Sequence, residues 1–374
     1  MTLLNYLTRV HFADGVLEEA LRSEMEHHTK RRPLIVAEDG TLTGAIAERF
    51  FASFPIRSVA QTFDRVPARA SEAAAQDLAR LYREHDCDLL IAYGSSRSID
   101  LAKAGRIAIA HDEPIAQLSS EEGGAMRIGP GLPDLYAVPG VLGFASAVSH
   151  YTRIGLISGG QVLLASHNLI PTVTICDPTL TLGAGAEESS AACGGVLARG
   201  IDAYLSPGYN PPADGLALDA LARVARNIDR VLCDDDLSAR REMMAAGLNS
   251  SLSLQKGLCV VHAIANALTS VSQAPADPST LGGILIPELV RFYASADGTR
   301  IEQVGATMGL KGDVGDALDA FMGRLPGPHS LGQLGIASDD LQHAAELAAT
   351  DRAILNSPRG LKAPQIQAIL SAVH

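Results

Sequence analysis

The feature that most constrains this chain is a change of pattern at Asp177-Pro178. Upstream of it, short β-branched runs alternate with stretches of helical period, the pattern of a parallel sheet covered by helices. Residues 33–37 and 88–93 are apolar runs short enough for buried strands. Each leads through a turn, Glu38-Asp-Gly-Thr or Gly94-Ser-Ser-Arg97, into a helix expected over 42–53 or 98–110. Between them the spacing of Ala74, Leu78, Leu81 and Tyr82 predicts an amphipathic helix over 71–85. Residues 135–138, 152–156 and 172–176 are further strand candidates. Downstream, from about 185, nearly every segment is Ala/Leu-rich with helical period, as in 215–232, 240–254 and 339–349.

The expected architecture is therefore an α/β dinucleotide-binding-type domain with a parallel sheet, residues 1–182, followed by an all-helical C-terminal domain, residues 183–374. A length of 374 residues is enough for two cores. The junction at 180–187 is the natural place for a cleft. With 47% hydrophobic and 19% charged residues the chain is not disordered. A net charge of −12 argues against a nucleic-acid partner and leaves a small-molecule substrate. The N-terminal residues lack a basic region leading into an apolar core, and no run reaches the roughly 18 apolar residues of a membrane span. A soluble cytoplasmic protein is expected. Cys87, Cys176, Cys193, Cys233 and Cys259 form no C-x-x-C pair and read as buried thiols. A homo-oligomer is compatible with such a scaffold, with no interface legible in the sequence.

Two regions could carry chemistry. In the first, the turn Gly94-Ser95-Ser96-Arg97-Ser98-Ile99-Asp100 joins a strand to a helix, so its backbone N–H groups could cradle a pyrophosphate, although an ordinary turn and cap has the same composition. The loop 138–147, containing Ser146, also follows a strand, and His150 and Tyr151 come just after it. In the second region, Gly195/Arg199 and His262/Asn266 are four apart on helical segments, so each pair shares a helical face. Arg199 could pair with Asp202 or Glu188, and His262 could be a core histidine. Asp277-Pro278 reads as a helix cap, and Asp234-Asp235-Asp236 as a solvated loop or cap.

Residues 88–104, 138–148, 177–181, 200–204, 255–263, 284–287 and 331–336 fall in the order and spacing of the iron-containing alcohol dehydrogenase family, whose wider group includes maleylacetate reductases. The chain resembles that family over essentially its whole length. The resemblance implies a dinucleotide-binding domain, a metal-binding helical domain, and hydride transfer between a nicotinamide and an alcohol or carbonyl. Its motifs have changed here. The family's Gly-Gly-Gly-Ser loop with a following Asp maps onto Gly94, Ser95, Ser96, Arg97 and Asp100, keeping only the first glycine and the aspartate. The second loop has lost its threonines, with Phe144 and Ala145 in their place. The four metal ligands map onto Gly195, Arg199, His262 and Ala276, and a further histidine onto Asn266. One imidazole cannot hold a divalent ion that takes about four ligands, so no iron or zinc is expected.

Three functions remain open at this level. The first is a metal-independent NAD(P)-dependent reductase acting on a small carbonyl or carboxylate-bearing substrate, binding NAD(H) or NADP(H) through Glu38, Gly94, Ser95, Ser96, Arg97, Asp100 and Ser146. Arg199 would then replace the Lewis acid, His262 would supply the proton, and Glu38 on the adenosine ribose would favour NAD. The second is a non-redox reaction such as cyclisation, elimination or isomerisation, using His262, Tyr151 or Arg199. The third is a catalytically silent binding subunit, whose cleft Phe144 and Leu142 would fill.

Overall fold

The computed structural model describes residues 8–257, 259–272, 274 and 276–374. The chain divides into two compact units, one ending at Thr181 and the other running Leu182–His374. The first contains β1 (Arg9–Phe12), α1 (Leu17–His27), β2 (Pro33–Ala37), α2 (Gly44–Ala52), β3 (Gln61–Phe63), α3 (Glu72–Glu84), β4 (Leu89–Gly94), α4 (Ser96–Ala110), β5 (Leu135–Pro139), β6 (Tyr151–Gly155), β7 (Gln161–Ala165) and β8 (Val173–Cys176). Six strands form a parallel sheet in the order β1-β8-β5-β4-β2-β3.

Helices cover both faces of this sheet, which is why β2, β4 and β5 are buried along their whole length. Ile35, Ile91, Tyr136 and Val138 pack with Leu17, Leu21 and Met25 of α1 in one core. Strand residues of opposite parity, Leu34, Val36, Leu90 and Ala92, are equally buried, and α4 packs on β2, β4 and β5. The chain moves outward from β2 to β3 and then returns to β4 on the other side of β2. The C-terminal ends of β2 and β4 therefore flank the point where strand order reverses, the usual ligand crevice of such sheets.

Residues 152–156 do not join this sheet. β6 pairs antiparallel with β7 as a separate hairpin, closed through Gly159 and Gly160. Five residues between the strands leave no room for the crossover that a parallel pairing needs. The edge strands β1 and β3 were not foreseen: apart from Phe63 their residues are partly buried or exposed, and neither carries a continuous apolar run.

The second unit is helical: α5 (Ala186–Leu205), α6 (Pro211–Asp234), α7 (Leu237–Ser253), α8 (Val260–Val271), α9 (Pro278–Tyr293), α10 (Gly298–Met308), α11 (Val314–Gly323), α12 (Asp340–Thr350) and α13 (Ala363–Ala372). The acidic triplet separates α6 from α7. Asp235 adopts φ +49° and pairs with Arg240, while Asp236 caps α7 by accepting from Ser238 and Ala239 N–H. Asp277 likewise caps α9 through Ser279 and Thr280 N–H. Cys233 is exposed, contrary to the expectation of five buried thiols; the other four are buried. No helix among the described residues is long and apolar enough to cross a membrane.

Helices α5 and α9 approach closely because glycines line their crossing. A Cβ on Gly194 would lie 3.0 Å from Gly283 Cα, and one on Gly282 would lie 3.0 Å from Ala198 Cβ. Overpacking such a contact costs about 1–3 kcal/mol. Gly194→Leu should therefore lower the urea unfolding midpoint by an amount near the upper end of that range. Gly215→Ala, on an exposed turn of α6 with open space around it, should raise the midpoint by about 0.5–1 kcal/mol equivalent.

Candidate functional site

At the end of β4 the backbone turns sharply at Gly94, whose φ of +116° favours glycine. Ser95 then caps α4, its hydroxyl accepting from Arg97 N–H. Glu38, leaving β2, lies against this turn. Its Oε1 accepts from Ser95 N–H at 3.3 Å, Ser95 Oγ at 2.6 Å and Ser98 Oγ at 2.8 Å, and its Oε2 lies 3.7 Å from the Arg97 guanidinium. Gly94, Ser95, Ser96, Arg97 and Glu38 are thus brought together, with Arg97 exposed. Ser96 Oγ accepts from Ala145 N–H at 3.4 Å and joins the turn to the second loop.

Two expected cofactor contacts are used internally. Asp100 accepts from the Ser146 and Thr152 hydroxyls, and desolvation raises its pKa while the nearby Lys103 opposes that rise. Asp100 and Ser146 therefore tie the second loop to α4. Phe144 and Leu142 are buried within the same unit.

Lys103 was missed, although a lysine in the apolar stretch of α4 is a signal in its own right. It is wholly buried, and its Nζ donates to Ser149 O, Ser149 Oγ and Tyr151 O at 2.8, 2.8 and 3.1 Å. Burial pulls its pKa down to about 7. Tyr151, expected in the catalytic set, opens the β6 hairpin, where its carbonyl receives Lys103 and its ring meets His150 edge-on at 5.6 Å. Burial, reinforced by Lys103, pushes His150 down to about 4.

In the helical unit, Arg199 is 1% exposed. Its Nε lies 3.4 Å from Ser250 Oγ, and its Nη1 lies 3.2 Å from the point that a Cβ on Gly195 would occupy. Ser279 crowds the same point from α9, its Oγ and Cβ at 2.7 and 2.8 Å. The guanidinium thus folds back over its own helix into space that any side chain at 195 would take. Asp202, one turn further along α5, does not use its carboxylate to cap its own helix. Its Oδ2 accepts from Val261 N–H at 3.2 Å and so holds the first turn of α8, where half-buried His262 stands. Burial raises Asp202 to about 6. Asn266 lies one turn beyond His262, half-buried, its carbonyl accepting from Thr269 and Ser270 hydroxyls.

Residues 8–178 match the family described as iron-containing alcohol dehydrogenase, and residues 192–374 match the C-terminal region of the same family. A 4-hydroxybutyrate dehydrogenase from Cupriavidus necator is 33% identical over 380 aligned residues, covering 99% of each chain. The chain belongs to the iron-containing alcohol dehydrogenase family. It is an alcohol dehydrogenase-like oxidoreductase. Its fold matches an alcohol dehydrogenase from Oenococcus oeni with a TM-score of 0.92 at 20% identity, covering 100% of both chains. It also matches a sulfoacetaldehyde reductase from Bifidobacterium kashiwanohense, solved in complex with NAD+, with a TM-score of 0.87 at 18% identity over 100% of this chain and 98% of that one.

The family name implies a metal, and the donor set of this member does not fit one. Gly195 has no side chain, Arg199 brings a cation, and Ala276 has no donor. Among the described residues no group of three or more His, Cys, Asp or Glu side chains could hold an ion.

Two outcomes follow from this geometry. Because Ser279 and Arg199 both crowd the place of a side chain at 195, Gly195→Asp alone should destabilise the fold by about 2 kcal/mol or more, and adding Arg199→His should recover part of that loss, the remainder requiring Ser279→Gly. Additive denaturation energies in the double-mutant cycle would refute the coupling. For Asp202, the folded protein binds its proton more tightly than the unfolded chain, so this group's contribution to stability is present below pH ~4 and is lost as pH rises through about 6. Asp202→Asn removes that slope, and its Tm relative to the parent should rise between pH 4 and pH 7.

Proposed function

We propose that this chain is a nicotinamide-dependent oxidoreductase that works without a metal, interconverting a short hydroxy acid and its aldehyde. The observation that carries this reading is the match to 4-hydroxybutyrate dehydrogenase over 99% of both chains. A dinucleotide fits the turn at the strand-order reversal, where the Gly94 backbone, the Ser95–Ser96 turn and the exposed Arg97 guanidinium would receive its phosphates. When bound, the nicotinamide supplies or accepts the hydride.

The rest of the reaction falls to side chains of the helical unit. Reduction adds a proton to the carbonyl oxygen as the carbon gains hydride, and His262 is the proton donor, returning as base in the oxidation direction. Arg199 supplies fixed positive charge. Being enclosed, it acts through its field in a low-dielectric surrounding and not by touching substrate, which revises the role inferred from its sequence position. Asn266 can hold a substrate oxygen or a water but cannot carry the proton its histidine counterpart could. Asp202 positions His262 by capping α8.

Titrating NADH against chelator-treated protein should change nicotinamide fluorescence, and turnover of 4-hydroxybutyrate should be unaffected by chelator. His262→Ala should lower kcat by about 100-fold or more with NADH affinity unchanged. Absence of NADH binding up to millimolar concentration refutes the dinucleotide reading. Activity that disappears with chelator and returns with iron or zinc refutes metal independence.

A further inference from the structure

Glu38 stands where its fold position gives it two possible partners. At the C-terminal end of β2, a carboxylate extended outward would meet an adenosine ribose. In this structure it is turned instead onto the start of α4, and Oε1 alone receives three donors: Ser95 N–H, Ser95 Oγ and Ser98 Oγ. The Arg97 guanidinium lies beside Oε2 at 3.7 Å. Ser98 is wholly buried, so its hydroxyl serves this carboxylate and is closed to an incoming ligand. A Cβ on Gly94 would lie 3.5 Å from Oε1, in ordinary contact, so the carboxylate sits directly beside the turn that the φ of +116° at Gly94 makes.

We propose that Glu38 is a tethered competitor for the phosphate seat: held in place by buried Ser98, its carboxylate takes the Ser95 N–H and hydroxyl at the start of α4, donors that a dinucleotide pyrophosphate would use, and so sets cofactor affinity by self-occupation. This rests on the reading that a dinucleotide binds here. The N-terminal end of a helix favours one anion, and a second anion in the same few ångströms is repelled. A pyrophosphate must therefore displace the carboxylate or lie against it. A ribose hook would act in the opposite direction, since removing its charge would cost affinity.

The sign of the change decides between them. Isothermal titration calorimetry with ADP and with adenosine compares the full-length parent with Glu38→Gln and Ser98→Ala. Self-occupation predicts ADP binding about tenfold tighter to Glu38→Gln. Ser98→Ala, which keeps the charge but removes one of its donors, should shift ADP affinity the same way by a smaller factor, and adenosine affinity should be unchanged in both. Weaker binding of both ligands to Glu38→Gln, or unchanged ADP affinity, overturns the proposal while leaving the dinucleotide reading intact. Should Glu38→Gln fail to fold, Ser98→Ala decides alone: unchanged or weaker ADP binding overturns the proposal. No binding of ADP or NADH by any of the proteins overturns both the proposal and the reading beneath it.

Discussion

Arg199 folded over Gly195 is the contact on which the helical unit's arrangement most depends. A buried guanidinium is costly unless its surroundings are shaped to it, and part of the shaping here is an absence, the missing Cβ one turn back on the same helix, with Ser250 Oγ 3.4 Å from Nε. The same stretch of α5 also provides Gly194, which lets α9 approach, and α9 in turn brings Ser279 against the guanidinium's pocket. Three residues beyond Arg199, Asp202 sends a carboxylate into the first turn of α8. Within nine residues, 194–202, one helix thus sets its distance from α9, encloses a cation and fixes the helix that carries His262. A change at any of these positions is felt at the others because they share one packed volume.

The α/β unit has a comparable tie in Lys103. Its three bonds fasten α4 to the segment leading into the β6 hairpin, while Asp100, one turn earlier on α4, holds Ser146 and Thr152. These bonds replace what a glycine- and threonine-rich loop would otherwise do through its backbone, and they explain how Phe144 can be buried without the loop losing its place.

Much of this was legible in the sequence, and the misses have physical causes. β2, β4 and β5 are continuous apolar runs because helices cover both faces of the sheet, and such runs stand out. β1 and β3 lie at the edges, where partial exposure dilutes the pattern. β6 has a strand-like sequence, and only the Gly159-Gly160 turn tells that it returns on itself. At the site, the resemblance marked Gly195, Arg199 and Ala276 as positions without a metal donor, but residue identities could not show that Arg199 would turn inward, because that depends on the volume left by Gly195 and the approach of Ser279. Ser98 stood in the candidate turn and Lys103 in the run 88–104, but neither was given a role there. Each acquires its role only when helix α4 brings it against a partner distant in sequence.

The two units arrive at the same solution with opposite signs. Where the family resemblance places a metal cation, a guanidinium tethered to α5 stands. Where it places a phosphate anion, a carboxylate tethered to β2 stands. A tethered charge has a high effective concentration and forgoes the entropy cost of capturing a free ion, so either can hold its seat against a diffusing competitor. The seats differ in access. Arg199 is 1% exposed with its space closed by Ser279, so yielding it would require the α5–α9 packing to open. Glu38 has a side chain 15% exposed beside a half-exposed Arg97, and can leave by rotating about its own bonds. On the proposed reading the cation is a fixed part of the fold and the carboxylate the exchangeable charge, and only the second would tune ligand affinity without unfolding the unit that carries it.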